Sequence, residues 1–204
     1  MSLQHSTKLN DHLLIRSQEP YGFLLWLGLA NSMLIFISLF IFCYLKLEPL
    51  TSHFVLLPDT FWLSTLLIIF SSILLHEANL AFYQERFLHY RVFLGATFTL
   101  GILFIVLQVL GCVEMIDNGL AFNRHSPVAY IYLLSGLHFL HAICGVIFMG
   151  SLFRKSLINR TYIDAFIYSV NPPNQLKIKL FTRYWHFVDI TWVVVFLFIV
   201  LVFQ

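Results

Sequence analysis

Residues 92–113, VFLGATFTLGILFIVLQVLGCV, decide the fold class because they form a long apolar segment without a charged side chain. A helix rises about 1.5 Å per residue, so a segment of this length crosses the roughly 30 Å hydrocarbon core of a bilayer. Four more apolar segments follow the same pattern, and the predicted spans are about 22–46, 60–83, 92–113, 127–153 and 183–203. They lack the alternation of membrane barrel strands. The sequence therefore predicts an all-α integral membrane bundle of five transmembrane helices.

The composition supports a membrane protein and excludes several other classes. Of 204 residues, 59% are apolar and 11% are charged, whereas about 25% are charged in soluble domains. The net charge of +2 and the scattered basic residues do not indicate a nucleic-acid partner. Cys43, Cys112 and Cys144 lie far apart, which indicates neither a disulfide framework nor a thiolate metal site. No removable signal peptide is predicted.

The distribution of basic residues predicts the domain organisation and the orientation. We expect residues 1–20 to form a cytoplasmic tail and residues 21–204 to form a single membrane domain. The connection 154–183 is interpreted as a structured loop, interrupted by Asn-Pro-Pro at 171–173. Ten of the twelve Lys and Arg residues fall in the N-terminal tail and in the second and fourth connections. The positive-inside rule therefore predicts a cytoplasmic N-terminus and an outside C-terminus.

Few ionisable side chains lie at membrane depth, and their insertion costs make them candidates for function. These residues are His76, Glu77, His138, His141, His186 and Asp189. We expect Glu77 and Asp189 both to turn into the protein, because an unpaired carboxylate in hydrocarbon is costly. His186 is the ionisable partner at a similar depth, so one of the two carboxylates is expected to meet it. For His76 the preferred interpretation is a packing role.

The motif LHFLH in the fourth span presents two histidines. His138 and His141 lie three residues apart on one helical face, a spacing that permits ligation of one metal or of adjacent haems. No second pair of this kind supplies companion ligands, so a packing or hydrogen-bonding role is the favoured alternative. Gly136 and Gly145 on the same helix predict the close approach of a neighbouring helix.

The fifth span begins YWHFVDITW and concentrates polar and aromatic residues. Trp185, Asp189 and Trp192 form one stripe at helical spacing, and His186 lies beside Asp189. Tyr184 and Trp185 fit the aromatic belt of a membrane interface. Asp189 has two open interpretations, a structural contact or a proton relay. No nucleotide-binding, hydrolase or metalloprotease motif occurs in the chain, so the sequence contains no catalytic set.

Four segments carry a resemblance to a known family. They are FWLSTLLIIFSSILLHEA at 61–78, TLGILFIVLQ at 99–108, SGLHFLHAICGVIF at 135–148 and YWHFVDITWVVVF at 184–196. In this order they resemble subunit III of the haem-copper oxidases, which are the cytochrome c and quinol oxidases of respiratory membranes. The resemblance covers about residues 20–204 and is closest to the five-span bacterial type.

The resemblance implies a non-catalytic accessory subunit of a proton-pumping terminal oxidase in aerobic respiration, a multi-pass protein of the bacterial inner membrane. Subunit I, which holds the haem and copper, is the implied main partner, together with subunit II, small subunits and membrane phospholipid. The chain itself is expected to hold no catalytic, cofactor-binding or metal residue, and to support proton uptake and the stability of the active site. The implied family-signature residues are Glu77, Gln108, His138, His141, Tyr184, Trp185, His186, Asp189 and Trp192.

One position departs from the family pattern, and other functions stay open. Asn31 stands where the family has an acidic residue in its first span, so the role of that acid does not carry over. The alternative function is a small membrane oxidoreductase that binds haem or metal through His138 and His141. A transporter is disfavoured because the sequence has neither broken helices nor an inverted repeat.

Overall fold

A computed structural model describes the backbone of residues 2–47, 57–120 and 128–203, and side chains within 20–45, 57–120 and 128–201. The helices are α1 (Ser2–Leu47), α2 (Asp59–Tyr83), α3 (Phe87–Asp117), α4 (Val128–Ile158), α5 (Tyr162–Val170) and α6 (Pro172–Phe203). All except α5 are long and apolar enough to cross a membrane. The predicted all-α class with five spans is confirmed.

Four of the long helices form a ring. Helix α2 packs on α3, α3 on α4, α4 on α6, and α6 back on α2, while α1 lies outside the ring against α6 and α4. Helices α2 and α3 are joined by a tight turn in which Glu85 adopts a positive φ of 59°. The Arg86 amide closes that turn by donating to the Ala81 carbonyl at 2.9 Å. The ring brings the polar residues of α2 and α6 face to face.

Glycines on α3 and α4 create a slot for one large side chain of α6. A Cβ atom added at Gly145 would lie 2.6 Å from the Trp185 ring, and one at Gly101 would lie 3.2 Å from it. Only glycine permits such an approach, which confirms the close contact predicted at Gly145. The same prediction is wrong for Gly136, which is exposed and has no neighbouring heavy atom within 4 Å of such a Cβ.

The connection after the fourth span is more helical than the sequence analysis predicts. Helix α4 continues to Ile158, α5 follows, and α6 begins at Pro172, eleven residues before the predicted start of the fifth span. Proline is favoured in the first turn of a helix because its fixed φ suits the helix and its missing N–H needs no partner there. The first turns of α6 carry three basic residues, Lys177, Lys179 and Arg183. They do not form an apolar segment, so the hydropathy of the sequence does not predict this extension.

The other predicted boundaries agree with the structure to within a few residues. Helices α3 and α4 each extend about one turn beyond their predicted spans. The backbone of α1 is helical from Ser2, within the predicted tail, but the side chains of residues 1–19 lie outside the described part of the chain. So do the basic side chains of Lys46 and Arg124, which entered the orientation argument.

Candidate functional site

A polar seam joins α2 to α6, its neighbour in the ring. On α2, hydroxyl and amide side chains recur at intervals of seven residues, which places them on one helical face. They are Ser64, Thr65, Ser71, Ser72 and Asn79. On α6, the facing residues are Thr182, Trp185, His186, Asp189 and Trp192. The two helices are antiparallel, so the first residues of the α2 set meet the last of the α6 set.

Both tryptophans of the seam donate hydrogen bonds to α2. The Trp192 indole N–H donates to Thr65 Oγ1 at 3.0 Å, and the Trp185 indole N–H donates to Ser71 Oγ at 3.1 Å. Each hydroxyl in turn donates to a carbonyl one turn earlier in α2, Thr65 to Phe61 and Ser71 to Ile68. Both indoles are fully buried, so these bonds satisfy polar groups that have no access to water.

The cytoplasmic half of the seam, in the predicted orientation, continues the ladder with two more bonds. Ser72 Oγ lies 2.7 Å from His186 Nδ1, and the Asn79 amide donates to Thr182 Oγ1 at 2.7 Å. The α2–α6 contact therefore has four interhelical side-chain bonds along its length. Each is worth roughly 0.6 kcal/mol on average in a membrane bundle, so together they favour one register of the two helices.

Asp189 lies between the two tryptophans and is buried, with 4% of its surface exposed. The inward orientation predicted for this residue is confirmed. The predicted contact of His186 with one of the two carboxylates is wrong, because His186 Nδ1 bonds to Ser72 and neither oxygen of Asp189 has a hydrogen-bond partner among the described residues. Ser72 lies beside the Asp189 carboxyl group.

Glu77 does not turn into this chain. It is exposed on the outer face of α2, as is the adjacent His76. The prediction of an inward Glu77 is therefore wrong, and so is the packing role predicted for His76. The physical reason is the helical phase of α2. The hydroxyl-bearing face is occupied by α6 and α3, and Glu77 lies on the opposite side, among apolar residues.

Gln108 connects α3 to the same seam. Its amide Nε2 donates to Ser64 Oγ at 2.9 Å, and Ser64 donates to the Phe61 carbonyl at 2.9 Å. Both side chains are buried. The bond extends the seam to a third helix, so Gln108 joins α3 to α2.

His138 lies in the centre of the ring. Its Nε2 donates to the Val188 carbonyl of α6 at 3.1 Å, and its ring packs against Trp192 and Phe104 with centroids 4.9 and 5.7 Å apart. The imidazole is fully buried, and its Nδ1 has no partner among the described residues. His138 therefore serves as a packing residue that ties α4 to the backbone of α6.

His141 is directed to α1 and not toward the contacts of His138. Its Nδ1 donates to the Leu137 carbonyl at 2.8 Å, and its Nε2 lies 2.9 Å from Ser32 Oγ of α1. The Tyr184 hydroxyl donates to the His141 carbonyl at 2.9 Å, which adds α6 to this contact. With both ring nitrogens engaged by the protein, the favoured packing and hydrogen-bonding interpretation accounts for His141.

The described part of the chain contains no set of side chains that could hold a metal ion. Within residues 20–45, 57–120 and 128–201, no three His, Cys, Asp or Glu side chains lie close enough to hold one ion. The two histidines of LHFLH bond to different helices, so they do not form the paired ligands that a haem between helices requires.

The sequence analysis missed the hydroxyl half of the seam. Ser, Thr and Asn in α2 lie within an apolar span, but their spacing of seven residues indicates an interhelical contact. It also missed a bond from Thr60 Oγ1 to the Glu114 carboxylate at 3.2 Å, between α2 and the last turn of α3. Neither residue stands in a recognisable motif, so only the structure reveals that pair.

Comparison with known proteins identifies homologues along nearly the whole chain. No family model matches. The chain is 28% identical to the cytochrome bo(3) ubiquinol oxidase subunit 3 of Buchnera aphidicola subsp. Baizongia pistaciae, over 92% of this chain and 93% of that protein. It is 26% identical to the cytochrome bo(3) ubiquinol oxidase subunit 3 of Pseudomonas putida, and 26% identical to the cytochrome c oxidase subunit 3 of Bacillus sp. (strain PS3). Each of these two alignments covers 84% of this chain and 80% of the relative. The resemblance stated from the four motif segments is confirmed.

Proposed function

We propose that this chain is the non-catalytic subunit III of a haem-copper terminal oxidase in aerobic respiration. The observation that carries the proposal is the similarity to an oxidase subunit 3 over 92% of this chain and 93% of that relative. The relatives' names include both ubiquinol and cytochrome c oxidases, so the proposal covers what these two enzymes share.

The geometry of the polar residues supports an accessory role. His138, His141 and His186 each bond to the protein itself, and the tryptophans of the seam bond to hydroxyl groups of α2. These residues hold helices together, and they leave no ligand set for redox chemistry in the described part of the chain. In this proposal subunit I, the main partner, supplies the haem and copper, and subunit II and small subunits complete the complex.

The proposed location is the bacterial cytoplasmic membrane, with the N-terminus in the cytoplasm. Five spans and the concentration of Lys and Arg in alternate connections support this orientation. It places the basic start of α6 and the α4–α5 connection on the side from which protons enter. From that position the subunit supports proton uptake and the stability of the active site through contacts with subunit I, and phospholipid fills the remaining surface.

Removal of the subunit from an intact oxidase tests the proposal. The complex is purified in gentle detergent through a tag on this chain, and mass spectrometry and a visible spectrum then identify its partners. We expect co-purifying haem-containing polypeptides. In a second experiment, the oxidase of a strain lacking this chain is purified through a tag on subunit I. It should keep its haem spectrum and its initial oxygen consumption, but lose activity faster during turnover or at raised pH. Immediate and complete loss of activity with intact haems would contradict an accessory role.

Orientation is tested separately with reporter fusions. A reporter that is active only outside the cytoplasm, fused after Gln204, should be active, and the same reporter fused within the α4–α5 connection should be silent. The opposite pattern would invert the proposed topology without affecting the assignment as an oxidase subunit.

A further inference from the structure

Helix α5 differs from the long helices in its length and in the placement of its apolar side chains. It has nine residues and is roughly 13 Å long, too short to cross a bilayer. Its small residues Ala165 and Ser169 are buried against the bundle. Its large apolar side chains are exposed, and they are Tyr162, Ile163, Phe166, Ile167 and Val170. A helix at the surface of a water-soluble domain has the reverse arrangement, with its large apolar side chains toward the core.

Both ends of α5 are fixed at the level where the long helices end. At its start, the Tyr162 hydroxyl donates to Glu85 Oε2 at 3.2 Å, in the turn between α2 and α3. At its end, the Gln175 amide in the first turn of α6 donates to the Ser169 carbonyl at 2.8 Å, which satisfies one of the last carbonyls of α5. The helix therefore lies at the end of the bundle formed by the α2–α3 turn and the start of α6, close to one membrane surface.

The residues of α5 form three faces. Successive residues of an α-helix are about 100° apart, so Asp164 lies midway between Ile163 and Ala165 around the helix. Ala165 faces the bundle, and Ile163 faces away from it with 65% of its surface exposed. Asp164 is the only charged residue of the helix and is exposed as well. With Asp164 toward water and Ala165 toward the bundle, Ile163 and the neighbouring Ile167 point toward the surrounding lipid.

The chain on both sides of α5 is strongly basic. Residues 154–183 include six basic side chains, and the single acidic one is that of α5. The basic residues are all exposed, and they are Arg154, Lys155, Arg160, Lys177, Lys179 and Arg183. Ile178 of α6 is buried in a cluster that includes Tyr168 of α5. Lys177 and Lys179 flank Ile178 in the sequence, so both lysines lie near α5. Basic residues at a membrane surface attract anionic headgroups.

Anionic phospholipid fits this surface better than water or a protein does. Water would leave all five large apolar side chains of α5 without apolar contact, which is unfavourable. A protein partner would have to place acidic groups around an apolar centre to match the surface. A phospholipid such as phosphatidylglycerol supplies an acyl chain and a negatively charged phosphate in one molecule, at the depth where α5 lies.

We propose that α5 is an interfacial helix that lies along the membrane surface, inserts Ile163, Ile167 and Val170 among the acyl chains of anionic phospholipids, and holds their phosphate groups with the basic residues on either side. Interfacial helices bind by this combination of apolar insertion and electrostatic attraction. The inference uses only the faces of α5 and the charges around it, so it does not depend on the proposed function. In the proposed orientation the leaflet is the cytoplasmic one.

Photocrosslinking from three positions of α5 tests the insertion. A photoreactive amino acid replaces Ile163, Ile167 or Asp164, and the protein, purified with its associated subunits, is reconstituted into vesicles of phosphatidylglycerol and phosphatidylcholine in equal amounts. Mass spectrometry identifies the adducts. We expect phospholipid adducts from Ile163 and Ile167, and far fewer from Asp164. The Asp164 position is the matched control because it is exposed on the same helix but faces water.

Three other outcomes would overturn the proposal. Adducts from Ile163 and Ile167 to another polypeptide would show that this face is an interface between subunits. No adduct from either position would place the face in water. Equal yields of lipid adducts from all three positions would show that the helix has no side toward water. None of these outcomes bears on the assignment as an oxidase subunit, which is tested by the co-purification of haem-containing polypeptides.

The ratio of the two lipids in the adducts at Ile163 tests the role of the basic residues. In the otherwise unaltered chain, phosphatidylglycerol should exceed phosphatidylcholine. Lys177→Gln combined with Lys179→Gln should lower the ratio by up to about fivefold per lysine, the contribution of one basic residue near an anionic surface. Lys177→Arg combined with Lys179→Arg keeps both charges and should keep the ratio. Equal ratios in the two double variants would overturn phosphate binding by these lysines, and equal amounts of both lipids in the unaltered chain would overturn the choice of anionic lipid.

Discussion

Helices α1 and α6 are both long and apolar, but they contact the bundle in different ways. In the most apolar stretch of α6, 39% of the residues are buried, against 11% in α1. Helix α6 inserts two tryptophans that bond to α2, whereas the described part of α1 has one side-chain bond to another helix, from Ser32 to His141. Most of the α1 surface is available to lipid or to other subunits.

The difference shows what holds helices together where water is absent. Apolar side chains gain little from meeting one another in a bilayer, because lipid tails are equally apolar. Close packing and hydrogen bonds between helices then decide which contacts are firm. By this criterion the α2–α6 seam, with four side-chain bonds, is firmer than the contact of α1, which has one in its described part.

The largest effect is expected when a seam tryptophan is removed. Trp192 is fully buried against His138, Phe104 and Phe61, so Trp192→Ala leaves a cavity and removes the hydrogen bond that Thr65 accepts from the indole. We expect a loss of about 3 kcal/mol in the free energy of unfolding, measured by titration with sodium dodecyl sulfate. Trp26→Ala on exposed α1 is the control and should lose far less, so similar losses would remove the contrast between the two helices.

The glycine slot offers the next test. Gly145→Val places side-chain atoms into the Trp185 ring, and overpacking of this kind costs roughly 1–3 kcal/mol. Gly136→Val on the same helix meets open space and should be neutral. The readout is the thermal midpoint of the purified complex, and an equal fall for both variants would show that helix propensity, not the slot, is responsible.

A smaller effect is expected from one hydroxyl of the seam. Thr65→Val keeps the shape of the side chain but removes the acceptor of the Trp192 indole, at a cost of about 1 kcal/mol. Thr99→Val is the matched control, because the Thr99 hydroxyl is exposed and donates only to Gly95 of its own helix. Detergent titration of the two variants should separate them, and equal stability would mean that the indole finds another partner.

The smallest effect concerns α1. Ser32→Ala removes the bond to His141, and because α1 is mostly exposed we expect a loss of about 0.5 kcal/mol or less. Hydrogen exchange should rise in α1 while α6 stays protected. A loss of stability as large as that caused by Thr65→Val would show that the contact of α1 is as firm as the α2–α6 seam.

Much of the architecture could be predicted from the sequence, because bilayer thickness sets the length of an apolar helix. The five spans follow from this, the shared face of Trp185, Asp189 and Trp192 follows from helical spacing, and the packing role of His138 follows from the absence of companion ligands. The aromatic-belt prediction for Trp185 is wrong, because its ring is buried in the slot between α3 and α4. The start of α6 could not be found in the same way, because its first turns are amphipathic and carry lysines.

The orientation of single residues around a helix was harder to predict. Glu77 and Asp189 have similar chemistry and similar depth, but one faces outward and the other inward. Their difference depends on which face of each helix meets its neighbour, and this is a property of the whole ring. The hydroxyl repeat of α2 marks the face that meets a neighbouring helix. The sequence does not say which helix that is, and the structure shows that it is α6.

The slot between Gly101 and Gly145 also bears on the order in which the protein is built. Both glycines belong to helices that leave the ribosome before α6, so the slot can form while α6 is still being synthesised. The indole of Trp185 fits it in one rotation of α6, and a shift by a single residue would turn that ring away. Trp185 therefore meets a slot that α3 and α4 can form first. In this order of assembly, α6 is the last helix to pack, and it completes the ring in one register.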